Sequence, residues 1–298
     1  MPLHAIAIAT AMGGFLRSRG HWDQATGQYE AALSAARRAG DRPGQAGTLD
    51  ELGLLQQLTG NYPAATATLR QAVALYRELE DQSGQAYSLS LTDLGMVQQL
   101  TGDYAPAAAG YERALELFRQ AGSQYDQADV LTELGMLRRQ TGDHAAAAAA
   151  SQLQALDLFR RLGDKLGQAW ALDELGVMQQ LTGDYPAASA SLAQALQLHR
   201  DLGSRHGEAV ALNSLGDLAL RTSQPQQALE LHGLALAIAR DIGAHPEEAR
   251  ALAGIGMTLL PRSRAEAAVH LRLALEICRR IRSPDAQRIQ EQLAEFGL

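Results

Sequence analysis

The sequence predicts an all-α solenoid of about seven helix-turn-helix repeats, and three observations lead there. The pairs Leu52-Gly53, Leu94-Gly95, Leu134-Gly135, Leu175-Gly176 and Leu215-Gly216 recur every 40 to 42 residues, with Met12-Gly13 and Ile255-Gly256 as variants. Fixed-period self-similarity marks stacked supersecondary units, none of which buries its apolar face alone. Within each period two apolar stretches of helical spacing flank a Gly-centred break, and no Pro-, Gly- or Ser-rich linker divides the 298 residues. The expectation is one domain, 1–298, with repeats at 3–40, 41–80, 81–122, 123–163, 164–203, 204–243 and 244–281 and a capping helix at 284–296.

The first repeat opens on the apolar stretch Ala5 to Leu16, which no Lys or Arg precedes and in which Met12-Gly13 falls in register. It reads as a first helix, not as the core of a signal peptide. The second repeat is the type example. Leu49, Leu52, Leu55 and Leu58 follow helical spacing, Thr59 to Pro63 interrupts it, and Leu69, Ala72, Val73 and Tyr76 resume it. Gly60 suits the left-handed residue that closes a helix, Asn61 is expected to cap the next helix with its side chain, and Pro63 fits a first turn. Gly53 and Ala65 let the paired helices approach closely, and Ala72 sits where the next repeat stacks.

The third, fourth and fifth repeats return the same turn as Gly102-Asp103-Tyr104, Gly142-Asp143-His144 and Gly183-Asp184-Tyr185-Pro186, with Gly20-His21-Trp22 as a looser first copy. Two irregularities stand out. The third repeat has two extra residues, assigned to Tyr87–Leu91, which must be absorbed in the loop 80–84 or turn the helix by about 200°. The alanine run 145–150 carries one extra residue, absorbed by a featureless alanine surface or by a π-bulge. In the last two repeats Ser223-Gln224-Pro225 and Leu260 to Ser263 replace the glycine turn, as expected of terminal repeats.

Leu52, Gly53, Gly60, Tyr62, Ala65 and Ala72 stand at the spacing of the tetratricopeptide repeat signature, lengthened here from its usual period of about 34 residues. The Gly-Asp-Arg-x-Gly-Gln-Ala type of junction at Gly40 to Ala46 and Gly163 to Ala169 resembles Pins-type scaffolds. The composition is similar to the C-terminal sensor arrays of actinomycete regulatory proteins and signal-transduction NTPases. The resemblance covers about residues 3 to 281. It implies a right-handed superhelix whose first helices line a concave groove for a peptide or helical segment of a partner.

The resemblance places the groove at set distances from the signature leucine. Two residues before it stand Asp50, Thr92, Thr132, Asp173 and Asn213; two after it, Leu54, Met96, Met136, Val177 and Asp217; five after it, Gln57, Gln99, Arg139 and Gln180. Leu58, Leu100, Gln140 and Leu181 follow at six after. The row two after the leucine is mostly apolar, with adaptable methionines, and the glutamine amides offer both donor and acceptor. Alternatively, superhelical curvature buries part of the row and the glutamines serve only as helix formers. The other function classes kept open are a receptor for a small signalling molecule near Met96, Met136 and Trp170, and self-association as a scaffold.

Composition removes other classes. A formal charge of −7 argues against general binding to nucleic acid or anionic membranes. No apolar run approaches the ~20 residues of a membrane span. The single cysteine, Cys278, forms no intrachain disulfide and fits a cytoplasmic location, while one lysine, Lys165, among many arginines suggests a GC-rich bacterial genome. No phosphate-binding Gly-rich loop, nucleophile elbow or helical metal spacing occurs, so no catalytic residue, cofactor or metal is expected. The eight histidines read as surface or packing residues, and Asp50-Glu51 and Asp173-Glu174 as scaffold features before an acid/base pair. The sequence thus points to a noncatalytic protein-interaction module, a scaffold or sensor of a bacterial regulatory system.

Overall fold

The computed structural model describes residues 22–79, 84–142, 145–281, 283 and 285–297. Among them are fourteen α-helices and no strand. They fall into two compact units, Met1–Thr141 and Gly142–Leu298. The first holds α1 (Trp22–Ala39), α2 (Arg42–Leu58), α3 (Tyr62–Glu78), α4 (Gly84–Thr101), α5 (Tyr104–Ala121) and α6 (Gln124–Gln140). The second holds α7 (Ala145–Leu162), α8 (Lys165–Thr182), α9 (Tyr185–Asp201), α10 (Arg205–Arg221), α11 (Pro225–Ile242), α12 (His245–Leu259), α13 (Arg264–Arg280) and α14 (Asp285–Glu295). The first helix expected over Ala5 to Leu16 lies outside the described residues, as do Asp143 and His144.

Local chemistry sets the helix ends. Gly60 and Gly183 take φ of 77° and 82°, the left-handed conformation that an L side chain resists. Capping of the following helix is uneven: Asp41, Asp164 and Asp184 accept backbone N–H groups of α2, α8 and α9, whereas Asn61 and Asp103 make no side-chain cap. The expected Asn61 cap is therefore absent, and α3 begins instead with Pro63 in its first turn, where the missing N–H has no helical partner to lose. The recurring junction glutamine has a clear task. Gln45, Gln127 and Gln168 donate their amides to the carbonyls of Ala36, Phe118 and Phe159 at the end of the preceding helix.

Ser223 stands where earlier repeats place glycine and is held at φ 61°. Ser223→Gly is expected to raise stability by about 0.5–1 kcal/mol, the strain relieved less the added freedom of the unfolded chain. A melting temperature equal to or below that of the wild type would contradict this.

Packing follows the repeat. The signature glycines of the first helices admit one bulky side chain from their partner helix: a Cβ on Gly53, Gly95, Gly176 or Gly216 would come within 2.5–2.7 Å of Leu69, Tyr111, Leu192 or His232. A second contact runs to the next repeat. Ala72 and Tyr76 of α3 share a core with Leu33, Ala46 and Leu49, with Ala86 and Tyr87 of α4 against it, so Ala72 is the stacking position foreseen. Phe159 and His199 occupy the position of Tyr76 and press on Gly167 and Gly207 of the following first helix. At the C-terminal end, Ile289 and Leu293 of α14 enter the cluster of Leu275 and Cys278, so α14 covers α13 as a capping helix.

Neither irregularity disturbs the phase of a helix. First helix α4 starts ten residues before Leu94, as α2 starts ten before Leu52 and α6 ten before Leu134. The two extra residues therefore precede Gly84 rather than falling within Tyr87–Leu91, and helix phase is kept. Likewise α7 starts three residues before Ala148, as α3 starts three before Ala65 and α5 three before Ala107. Its extra residue lies between Gln140 and Ala145, where the two units divide, and Ala145–Leu162 is an α-helix throughout with no π-bulge.

Candidate functional site

In the first unit the candidate groove residues lie on α2, α4 and α6, and all are half-buried. Each lies beside a signature leucine that is buried: Leu52 is 6%, Leu94 8% and Leu134 3% exposed. Leu54, Met96 and Met136 thus form a partly open apolar row, continued one helical turn on by Leu58 and Leu100, which are 59% and 58% exposed. Thr92 and Thr132 donate their hydroxyls to carbonyls of their own helices, at Ser88 and Ala128. Gln99 accepts the Tyr111 hydroxyl at 3.0 Å, and the Gln57 Oε1 atom is enclosed without a hydrogen-bond partner. Arg139 at the same position of α6 is half-buried.

Asp50 accepts the Ser90 hydroxyl at 2.5 Å, which ties α2 to α4. Burial pushes its carboxyl up to about 6, against the Ser90 hydrogen bond and with the help of the Glu51 charge. Glu51 in turn accepts the Tyr29 hydroxyl.

The second unit treats the same positions differently. Asp173, Gln180 and Asn213 are 3%, 5% and 0% exposed, and Val177 and Asp217 are half-buried. Asp173 meets His199 Nε2 at 2.8 Å, and burial raises its carboxyl to about 6 although the His199 contact opposes the shift. Trp170 stands edge-on to the His199 ring with centroids 4.8 Å apart. Gln180 donates to the Ser214 carbonyl of α10. Asn213 donates its amide to Glu247 of α12, so its Oδ1 is left to accept from His232 Nδ1 at 3.2 Å. That arrangement requires a proton on His232 Nδ1. Burial also lowers the His232 pKa, with the Asp217 charge opposing. Arg250 closes the set, donating to Asp217 at 2.8 Å and to the Ser214 hydroxyl at 3.0 Å.

The two units thus divide the candidates. On α8, α10 and α12 Gln180, Asn213 and Asp217 join successive first helices and Asp173 reaches α9, whereas on α2, α4 and α6 an apolar row remains half open beside the Asp50–Ser90 link. Reading the sequence missed Ser90, Ser214, Glu247 and Arg250 altogether. His199 and His232 had a visible signal: His199 shares its column with Tyr76, Phe118 and Phe159, and His232 shares one with Tyr29, Leu69, Tyr111 and Leu192, although Gln152 is polar there too. Among the described residues no group of His, Cys, Asp and Glu is arranged to hold a metal ion, and no helix is long and apolar enough to cross a membrane.

A sequence profile described as tetratricopeptide repeat matches residues 5–78 and 85–152. The chain carries tetratricopeptide repeats. Solved structures extend the likeness in fold over its length. A tetratricopeptide repeat protein from Parabacteroides merdae is 14% identical, with 99% of this chain and 100% of that one covered at a TM-score of 0.70. RapI in its apo form is 12% identical over 93% and 98%, with a TM-score of 0.80. A signal-transduction ATPase with a tetratricopeptide repeat sensor from Pyrococcus horikoshii is 14% identical, and the match covers 92% of this chain and 41% of that one at 0.66. At these identities the likeness is one of fold. A search of curated protein sequences returned no significant match. The repeats provide a protein-interaction scaffold, and the repeat family is in general noncatalytic.

Proposed function

We propose that the protein is a noncatalytic module that binds a peptide or helical segment of a partner protein, on the face formed by α2, α4 and α6. The observation that carries this reading is the half-buried row Leu54, Met96 and Met136 beside fully packed signature leucines. Methionine suits such a face because its unbranched, polarizable side chain adapts to an apolar ligand. Helical and extended segments both dock on apolar rows of this kind. The likeness to a sensor array of a signal-transduction ATPase supports a regulatory setting, in which a bound segment shifts the repeats between two packings. A bacterial, cytoplasmic scaffold or sensor, with all seven repeats acting as one domain, is the simplest form of this proposal.

The test is a pull-down with the wild type beside Met96→Glu/Met136→Glu, accompanied by a thermal melt of both. The expected result is a partner retained only by the wild type, with similar melting temperatures and, as one domain requires, a single wild-type transition. A large fall in melting temperature of the double variant would show that the methionines are core. Two stable proteins retaining the same partners would reject the groove, and two separate transitions would reject the single domain.

A further inference from the structure

Departures from the repeat meet at one place in the second unit. The position two after the signature leucine is apolar in Leu54, Met96, Met136, Val177 and Met257, but on α10 it is Asp217. The position one before it carries Glu51, Asp93, Glu133, Glu174 and Ser214, but on α12 it is Gly254. His232 of α11 lies with its ring edge against Gly254 and Gly216, so the missing side chain at 254 is what admits an imidazole beside Asp217.

The ring is fully buried, and its two nitrogens are treated differently. Nδ1 donates to Asn213 Oδ1, a direction imposed because the Asn213 amide is spent on Glu247. Nε2 is enclosed and makes no hydrogen bond, with Asp217 Oδ1 3.7 Å away. While Nε2 carries no proton, its lone pair and a carboxylate oxygen stand opposite each other, two acceptors without a donor between them. Asp217 is held meanwhile from the other side, where Arg250 of α12 donates to its Oδ2 at 2.8 Å. The Asp217 side chain is 39% exposed and the imidazole 0%, so the carboxylate is the group with room to move.

The charges acting directly on His232 are Asp217 of α10 and Arg250 of α12. Glu247 of α12 reaches it through Asn213, and Glu174 of α8 acts on Arg250. On α11 itself Glu230 accepts from Gln226 and Arg240 donates to Glu248, all at the outer surface. Burial lowers the His232 pKa, the Asp217 charge opposes the shift and the Arg250 charge adds to it.

We infer that Asp217 is a latch with two positions, set by a proton on His232 Nε2. Without that proton the carboxylate binds Arg250 and ties α10 to α12. In acid the new Nε2–H donates to Asp217 Oδ1 and draws the carboxylate onto α11, which leaves Arg250 only the Ser214 hydroxyl on α10. The proton therefore exchanges a link between successive first helices for one within a helix pair. The folded pKa lies below the ordinary 6.5, so the fold resists the proton, and stability is lost as pH falls from 6.5 through the folded value. The device lies in the second unit and does not depend on the binding face proposed on α2, α4 and α6.

The test uses the full chain. Ring-nitrogen NMR locates the His232 titration, with His232→Leu assigning the signal, and chemical unfolding is then followed at a pH above it and a pH below it. At each pH a double-mutant cycle of Asp217→Asn and Arg250→Gln measures their coupling, in the wild type and in His232→Leu, which places here the residue found at Leu69 and Leu192. In the wild type the coupling is expected to be about fivefold in the unfolding constant above the titration and to disappear below it. In His232→Leu it should be the same at both pH values.

A wild-type coupling that is equal on both sides of the titration overturns the inference. So does a coupling that falls equally in His232→Leu, because the carboxylate then releases Arg250 by its own protonation. A folded protein in which His232 never gains the second proton overturns it as well. If His232→Leu does not fold, the Arg250 guanidinium signals decide: loss of the Asp217 hydrogen bond with the midpoint of the His232 ring supports the latch, and any other midpoint overturns it.

Discussion

His199→Ala is expected to lower stability by about 3–5 kcal/mol, which for a chain of this size is a fall in melting temperature on the order of 10 °C. Two costs combine. The imidazole is fully buried and fills the contact between α9 and the next first helix so closely that a Cβ on Gly207 would come 2.1 Å from its Nδ1. Its removal leaves a cavity that Gly207, having no side chain, cannot fill. It also takes the Nε2 partner from Asp173, a carboxyl that is 3% exposed, and an orphaned buried polar group costs about 1–3 kcal/mol.

Paired variants separate these costs. His199→Phe/Asp173→Leu replaces the pair by apolar groups, as Tyr76 and Phe118 do in other repeats, and should recover much of the loss. Asp173→Asn should flatten part of the pH profile. The folded pKa of Asp173 is raised, so its ionisation disfavours the fold, and stability falls as pH rises from the ordinary 3.8 through about 6. A His199→Ala protein within about 1 kcal/mol of the wild type would show that the site collapses around the smaller residue.

In the first unit the largest single effect is expected at Tyr111. The residue is fully buried, with its ring over Gly95 and its hydroxyl on Gln99. Tyr111→Ala should cost about 3–5 kcal/mol in chemical unfolding. Tyr111→Phe should cost about 1 kcal/mol, because it keeps the ring and loses the hydroxyl, which burial and the neighbouring carboxylates hold protonated as a donor. Similar costs for both variants would mean that the hydroxyl network, and not the ring against Gly95, holds this repeat together.

The period, the Leu-Gly pairs and the turn glycines were enough to reveal the helix pairs, because they act within a few residues of one another. The same locality explains the failures. Asn61 has the chemistry of a cap, yet whether its side chain turns onto the helix depends on the backbone angle at the turn, which the residue type does not set. The two extra residues of the third repeat looked like part of the helix because Tyr87 to Leu91 continue its apolar pattern, while the helix start at Gly84 puts them before the helix.

The groove was legible by position and not by state. Asp50, Asp173 and Asn213 share one place in the repeat, but Ser90 leaves the first half-buried, while His199, His232 and Glu247 enclose the other two. Those partners lie about 20 to 40 residues away on other helices, and no local pattern announces them.

His232 has a further consequence. Its ring touches the positions of Gly216 in its own repeat and Gly254 in the next, where a Cβ would come within 2.7 and 2.4 Å. One side chain is thus shared by two periods, and the boundary at Gly243 that the glycines mark is not a seam in the packing. A chain trimmed there would keep both helices of its last period yet present a bared imidazole to water. Recombination that gained or lost whole periods at that point would have to bring a matching glycine with it, so this end of the array is less interchangeable than its regular spacing suggests.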